Sequence, residues 1–303
     1  MCLIAFSIGA SPRWPLVIAA NRDEFLNRPT LPLTSWQTSS GRKIISGRDL
    51  RAGGTWLGTT PGGRVAFLTN VREAEPVTAP RSRGELVTRW LEADGDAANF
   101  IASLDKKSGA YGGFNLVLGD LQQNAWTWVT NKPVSSRTGW HAQTLASGVY
   151  GLSNAALDTP WPKTVQLKRV LAAALAAHAN APDSDALQAQ LWTALASRQR
   201  SPCEQVSLSG AAVAMEEALS SVFVDVPEHA YGTRSSTVLV ATNACIQVEE
   251  RTFLREEMQG DVCTFTSSMM EITLPRFSHR MVLTGRVLLP LSELVRRVSQ
   301  LVL

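Results

Sequence analysis

The sequence is short of the residues that mark several common kinds of protein. It has four histidines, at 141, 178, 229 and 279, and no HExxH pair, so no ligand set for a protein-bound metal is visible. Its four cysteines, at 2, 203, 245 and 263, show neither CxxC nor CxxCH spacing, which suits reduced thiols in a cytoplasmic protein better than a zinc ribbon, a redox pair or a disulfide framework. No window reaches the roughly eighteen consecutive apolar residues of a membrane span. The first residues also lack the basic start, long apolar core and small-residue cleavage site of a leader. Neither a transmembrane segment nor a signal peptide is therefore expected. Charged residues make up only 18% of the chain and the net charge is +3, with Lys and Arg scattered rather than gathered into a basic stripe, so no nucleic-acid partner is expected. No internal repeat or low-complexity segment is evident.

What is present is a globular composition, 45% hydrophobic over 303 residues, enough to bury a large core. LIAFSI and PLVIAA, separated by the turn-forming GASPRW, read as a β-hairpin, with NRDE (Asn21, Arg22, Asp23, Glu24) at the exit of its second strand. A second hairpin is written in TWLGTTPGGRVAFLTNV, where PGG makes the turn and Asn70 closes the returning strand. Residues 25–54, with NRPTLPL and RAGG, read as a loop-rich stretch between the two hairpins. SRGELVTRWL carries a capping-box pattern, Ser82 followed by Glu85, and a helix also fits DAANFIASLDKK. Strands follow in GFNLVLGD, AWTWVT and GVYGLSN. Three helices come next, in TPWPKTVQLKRVLAAALAAHA, SDALQAQLWTALASR and AAVAMEEALSSVF, then a last hairpin around Thr242 and Asn243. Hairpins in place of alternating βα units favour antiparallel sheets with helices on their outer faces. The tail 266–303 reads as an appended, partly helical segment on a domain of residues 1–265.

The most suggestive residue is Cys2. Should Met1 be removed, this residue carries a thiol and a free α-amine. Free cysteine has a pKa of ~8.5, so little of it is thiolate at pH 7, while an α-amine of pKa ~7.7 to 8.0 is partly neutral and can take the thiol proton. Such a nucleophile needs an orienting carboxylate and donors for an oxyanion. Asp23 is the natural orienter, and Asn70 and Asn154 are amide donors at the ends of other strands.

MCLIAF, AANRDEF, TNVRE, GLSN followed by TPWPK, and YGTRSST, in this order over residues 1 to about 265, resemble the NRDE family, which includes the transport and Golgi organisation protein 2 group. The resemblance implies an N-terminal-nucleophile hydrolase type of fold, α+β, with two stacked antiparallel sheets between helical layers in an αββα sandwich. The same landmarks are similar to the cysteine amidases of the penicillin V acylase and bile salt hydrolase group. That similarity implies Cys2 as nucleophile, Asp23 as orienter, Asn70 and Asn154 as oxyanion donors and Arg234 as a late supporting cation, with Asn21, Arg22 and Glu24 around them. One departure stands out: those amidases carry Arg, Asn, any residue, Asp, which places Ala20 where their arginine belongs. Along a regular strand Arg22 and Asp23 cannot both point inward unless the strand has ended or bulged.

Plainer readings stand beside these. NRDE also suits a solvated strand end with a local ion pair, and TNVRE and YGTRSST also suit turns. Trp56, Trp126 and Trp128 read as core more readily than as pocket lining, and Cys203, Cys245 and Cys263 as core or incidental thiols. Two functions follow: hydrolysis of a small amide or acyl compound through an acyl-thioester with no cofactor, or, from the resemblance, a non-catalytic carrier of haem or a hydrophobic acyl lipid, with Cys2 as an axial iron ligand in the haem case.

Overall fold

The computed structural model describes residues 2–73, 79–104, 109–132, 139–201, 213–253 and 272–273. Its strands form two seven-stranded antiparallel sheets. The first runs in the order β10 (Gly148–Leu152), β1 (Cys2–Ile8), β2 (Leu16–Phe25), β12 (Tyr231–Ala241), β13 (Cys245–Thr252), β14 (Ile272–Thr273), with β11 (Asp225–Val226) paired to β12. The second follows chain order: β3 (Thr30–Gln37), β4 (Lys43–Asp49), β5 (Leu57–Thr59), β6 (Arg64–Asn70), β7 (Phe114–Asp120), β8 (Ala125–Thr130) and β9 (His141–Thr144). The helices are α1 (Gly84–Glu92), α2 (Ala97–Ser103), α3 (Pro162–Ala177), α4 (Asp185–Leu195) and α5 (Val213–Ala218).

The two-residue period of the strands sorts their side chains into separate cores. Ile4, Phe6 and Ile8 of β1 and Leu16 and Ile18 of β2 meet Val65, Phe67 and Val117 of the second sheet. Their neighbours Leu3, Ala5, Val17 and Ala19 turn the other way, onto Leu167 and Leu171 of α3 and Leu191 of α4. On the far side, Ala66, Leu68, Leu116 and Leu118 pack under Leu86, Val87 and Trp90 of α1. At about 1.5–3 kcal/mol for each fully buried large side chain, the three layers hold the sandwich together. The expected αββα arrangement of helices outside two stacked sheets is the one observed.

Several local expectations fail. Residues 25–54 are not loop, for β3 and β4 lie there. Their half-exposed polar residues and Pro32 hid an edge hairpin. NRDE is not beyond β2 but inside it, because β12 pairs along the strand as far as Phe25. YGTRSST is strand rather than turn for the same reason. The capping box does not form: Gly84 N–H donates to Ser82 Oγ, while the Glu85 carboxylate is taken by Arg81 and the Tyr111 hydroxyl. Of the tail 266–303, Ile272 and Thr273 extend the first sheet by pairing with Ile246 and Cys245 of β13, and the rest lies outside the described residues.

Candidate functional site

Cys2 is the first residue of β1 and shares the face of Ile4, Phe6 and Ile8, so its side chain enters the space between the sheets. From Ile4 onward along the strand this space is closed core, but at Cys2 it opens into a cleft of about 780 Å³. Arg22, Asp23 and Glu24 border it from β2, Asp49 from β4, Trp56 and Leu68 from the second sheet, and Arg83 and Gly84 from the start of α1. The thiol is buried, with 8% of the residue exposed, and burial raises its pKa, reinforced by the carboxylates of Asp23 and Glu24 and opposed by Arg22.

Arg22 is the cross-strand partner of Cys2. Its guanidinium lies 4.2 Å over the Trp56 ring and is within 3.7 Å of both Glu24 and Asp49, with a long hydrogen bond of 3.4 Å to Thr30 Oγ1. Asp49 is held more tightly by Arg28, at 2.6 Å. Trp56 in turn lies across Gly47, where a Cβ would collide with its ring. The cation beside the thiol is thus stacked on an indole that only a glycine admits.

Asn21 and Asp23 share the other face of β2. Asn21 is committed to the fold: its amide donates to the carbonyls of Leu195 and Val222, both at 2.9 Å, and accepts from Ser236 Oγ at 2.6 Å. Asp23 accepts from Thr233 Oγ1 at 2.8 Å, and burial raises its pKa against the nearby Lys163 ammonium, which burial lowers in turn. Lys163 enters from the first turn of α3 and donates to Leu219 O. β2 itself is regular here, and the bulge is in the partner strand: Asp23 pairs with Thr233 and Arg22 with Ser235, leaving Arg234 as the extra residue. Both neighbours border the cleft because it wraps around the start of β1.

Asn70 borders the cleft at the end of β6, and its carbonyl accepts from Asn154 Nδ2 at 2.9 Å. Asn154 is buried behind it. Ser153 Oγ ties the same turn to the Cys2 carbonyl at 3.1 Å, and the Thr69 hydroxyl donates to Ser153 O. Arg234 does not border the cleft. It donates to Leu26 O and lines a separate small cavity behind Arg22 with Trp56 and Glu250. The sequence-derived set therefore divides: Cys2, Asp23 and Asn70 line the cleft with Arg22 and Glu24, Asn154 stands one hydrogen bond away, Arg234 is behind, and Asn21 is structural.

Sequence reasoning passed over Asp49, Arg83, Lys163 and Glu250. A signal existed for Glu250: in IQVEERT it falls on the same alternation as Ile246 and Val248, the buried face. Trp126 and Trp128 are core as expected, whereas Trp56 lines the cleft. Arg72 and Glu73 of TNVRE pair with Glu216 and Lys132. Cys245 is half-buried, and Cys203 and Cys263 lie outside the described residues. Among the described residues no helix is long and apolar enough to cross a membrane, and no group of three or more His, Cys, Asp or Glu could hold a metal.

A family model described as Transport and Golgi organisation 2 matches residues 1–255. A Transport and Golgi organization protein 2 homolog of Bos taurus is 34% identical over 265 residues, 84% of this chain and 94% of the relative. That of Mus musculus is 32% identical over 283 residues, 90% and 99% of the two chains. Among solved structures, a mutant conjugated bile acid hydrolase from Clostridium perfringens matches with a TM-score of 0.47 and 7% identity, over 92% of this chain and 100% of that one.

Proposed function

The chain belongs to the Transport and Golgi organisation 2 family, and from that premise and the cleft we propose that it is an N-terminal-cysteine hydrolase of a small amide or acyl compound, located in the cytoplasm. The observation that carries this reading is the place of Cys2: a thiol at the very start of an interior strand, at the base of an open cleft, with a guanidinium as its cross-strand partner. Because burial raises the thiol, a proton acceptor must be at hand. Asp23 follows Arg22, the partner of Cys2, on β2 and is the carboxylate that would orient the α-amine of Cys2 once Met1 is removed. The amine takes the thiol proton, sulfur attacks the acyl carbonyl, and the leaving amine or alcohol departs with that proton. Water then adds to the acyl-thioester, releasing the acid and restoring the thiol. Asn70 supplies a donor for the oxyanion, with its backbone held by Asn154.

The cleft wall suits a ligand with a polar end, since Arg22, Arg28, Arg51, Arg81 and Arg83 all line it. It does not suit haem: among the described lining residues only Trp56 and Leu68 offer large apolar surface, too little for the two faces of a porphyrin, and a thiol pushed toward its neutral form is a poor axial ligand. Intact mass measurement and labelling with a small electrophile test the proposal together. Loss of Met1, and labelling of Cys2 ahead of Cys203, Cys245 and Cys263 with a rate that climbs from pH 7 to 8, is the expected result. Retained Met1, or equal labelling of all four thiols, would defeat it.

A further inference from the structure

Behind the cleft, the carboxyl of Glu250 is buried between the sheets, 3% exposed, in a cavity of only about 10 Å³. It comes from β13 of the first sheet and accepts the Leu33 N–H of β3 in the second at 2.7 Å, at the point where the β3–β4 register slips and leaves that N–H without a ladder partner. On its own sheet it accepts from Thr237 Oγ1 at 3.4 Å. The cavity is shared with Arg22, the residue opposite Cys2. We infer that Glu250 is a positioning residue for Arg22: ionised, it draws the guanidinium along the shared Trp56 wall toward Glu250 and loosens its pairs with Glu24 and Asp49, and protonated, it leaves the guanidinium with those two carboxylates.

The geometry gives an ionised Glu250 few alternatives. A cavity of this size holds one water at most, so solvent cannot hydrate the charge. The facing groups from each packed element are few. Arg22 comes from β2 and Arg234 and Ser235 from β12; β3 offers Thr30, Pro32 and the Leu33 N–H, β13 itself Thr252, and the segment before β5 Trp56. Arg234 is engaged with Leu26 O. Arg22 is stacked on Trp56, which borders both the cleft and this cavity, but its two ion pairs measure 3.7 Å and its hydrogen bond to Thr30 3.4 Å. It is therefore the cation whose polar contacts can shift while the ring stacking is kept. Burial raises the Glu250 pKa to about 7, against the pull of the Leu33, Ser235 and Thr237 donors and of Arg22, which puts the change of state near neutrality. The consequence for Cys2 rests on the hydrolytic reading above: as pH rises through 7 the thiol loses part of the cation beside it.

Arginine side-chain NMR on the full chain reads this without any ligand. The Arg22 Nε–Hε signal, assigned by its loss in Arg22→Lys, is expected to shift with a midpoint near pH 7 in the natural protein and to stay fixed in Glu250→Gln. In Thr237→Val, which removes a donor to the carboxylate and keeps the β-branched shape, the midpoint is expected to move upward, which provides the test should Glu250→Gln fail to fold. An Arg22 signal that does not titrate, or that titrates equally in Glu250→Gln, or a midpoint unmoved in Thr237→Val, overturns the inference. A purely structural Glu250 would change the melting temperature and leave that signal still. Slow labelling of Cys2 would defeat the nucleophile reading and leave the Arg22 measurement intact, so the two failures are distinguishable.

Discussion

Replacing Asn21 by alanine separates the scaffold of NRDE from its chemistry. The side chain is fully buried and makes three hydrogen bonds, to the end of α4, to the segment before β11 and to Ser236 on β12, so it fastens the central hairpin to the helical layer. At about 1 kcal/mol net for each bond the loss is roughly 3 kcal/mol, and the uncompensated burial of the Leu195 and Val222 carbonyls carries it toward about 5 kcal/mol. With a urea slope of about 1–3 kcal/mol per molar, the unfolding midpoint should fall by about 1 M or more. Glu24→Gln is the control within the same motif. Glu24 is 23% exposed and its ion pairs with Arg22 and Arg28 both measure 3.7 Å, so its loss should stay within about 1 kcal/mol. Urea titrations of the three proteins, followed by tryptophan fluorescence, decide the matter. A cost below 1 kcal/mol for Asn21→Ala, or one no larger than that of Glu24→Gln, would refute the assignment of Asn21 to the scaffold.

Two further perturbations probe the space between the sheets. Glu250 has a folded pKa of about 7 against an ordinary 4.5, so the native state holds its proton more tightly than the unfolded chain; the stability this gives is complete below pH 4.5 and is lost as pH rises through 7. The loss is on the order of 3 kcal/mol at about 1.4 per pKa unit. Denaturation from pH 4.5 to 8 should therefore show a decline in the natural protein that Glu250→Gln lacks, and parallel curves would contradict this. Gly47→Ala puts a methyl into the Trp56 ring, with a cost of about 1–3 kcal/mol and a displaced indole beneath Arg22. Calorimetry with no change in melting temperature would show that the ring has room to move.

The hairpin that opens the chain was legible because apolar runs of strand length flank an obvious turn, and α1, α3 and α4 because their apolar faces recur at helical spacing. The edge hairpin of β3 and β4 was not, since TLPLTSWQ buries little and carries a proline. NRDE misled for a physical reason: four polar residues normally end a strand, and here they continue it because Asn21 and Asp23 find partners in elements about 200 residues away. Cys2, Asp23 and Asn70, singled out from the sequence, line the cleft. Arg234 lies behind it, because the bulge that sets its direction belongs to a pairing the sequence does not announce. Lys163 was hidden in the first turn of a helix, a position where a cation opposes the helix dipole and is more often solvated than buried.

The burial of Cys2 has a history in time as well as a place in space. Its strand is interior, flanked by β2 and by β10, and β2 is covered in turn by β12, whose Thr233 lies 210 residues after its partner Asp23. During synthesis the hairpin of β1 and β2 leaves the ribosome first, while β10 is made midway and β12 only after the helices α3 to α5. At about 5–20 residues per second this delay is on the order of ten to forty seconds. Throughout that interval β1 and β2 lack the neighbour that makes β2 interior, and once β12 docks, Cys2 is reached only through the cleft. Trimming that exposes the α-amine of Cys2 therefore meets the least obstruction on the nascent chain, before β12 is in place.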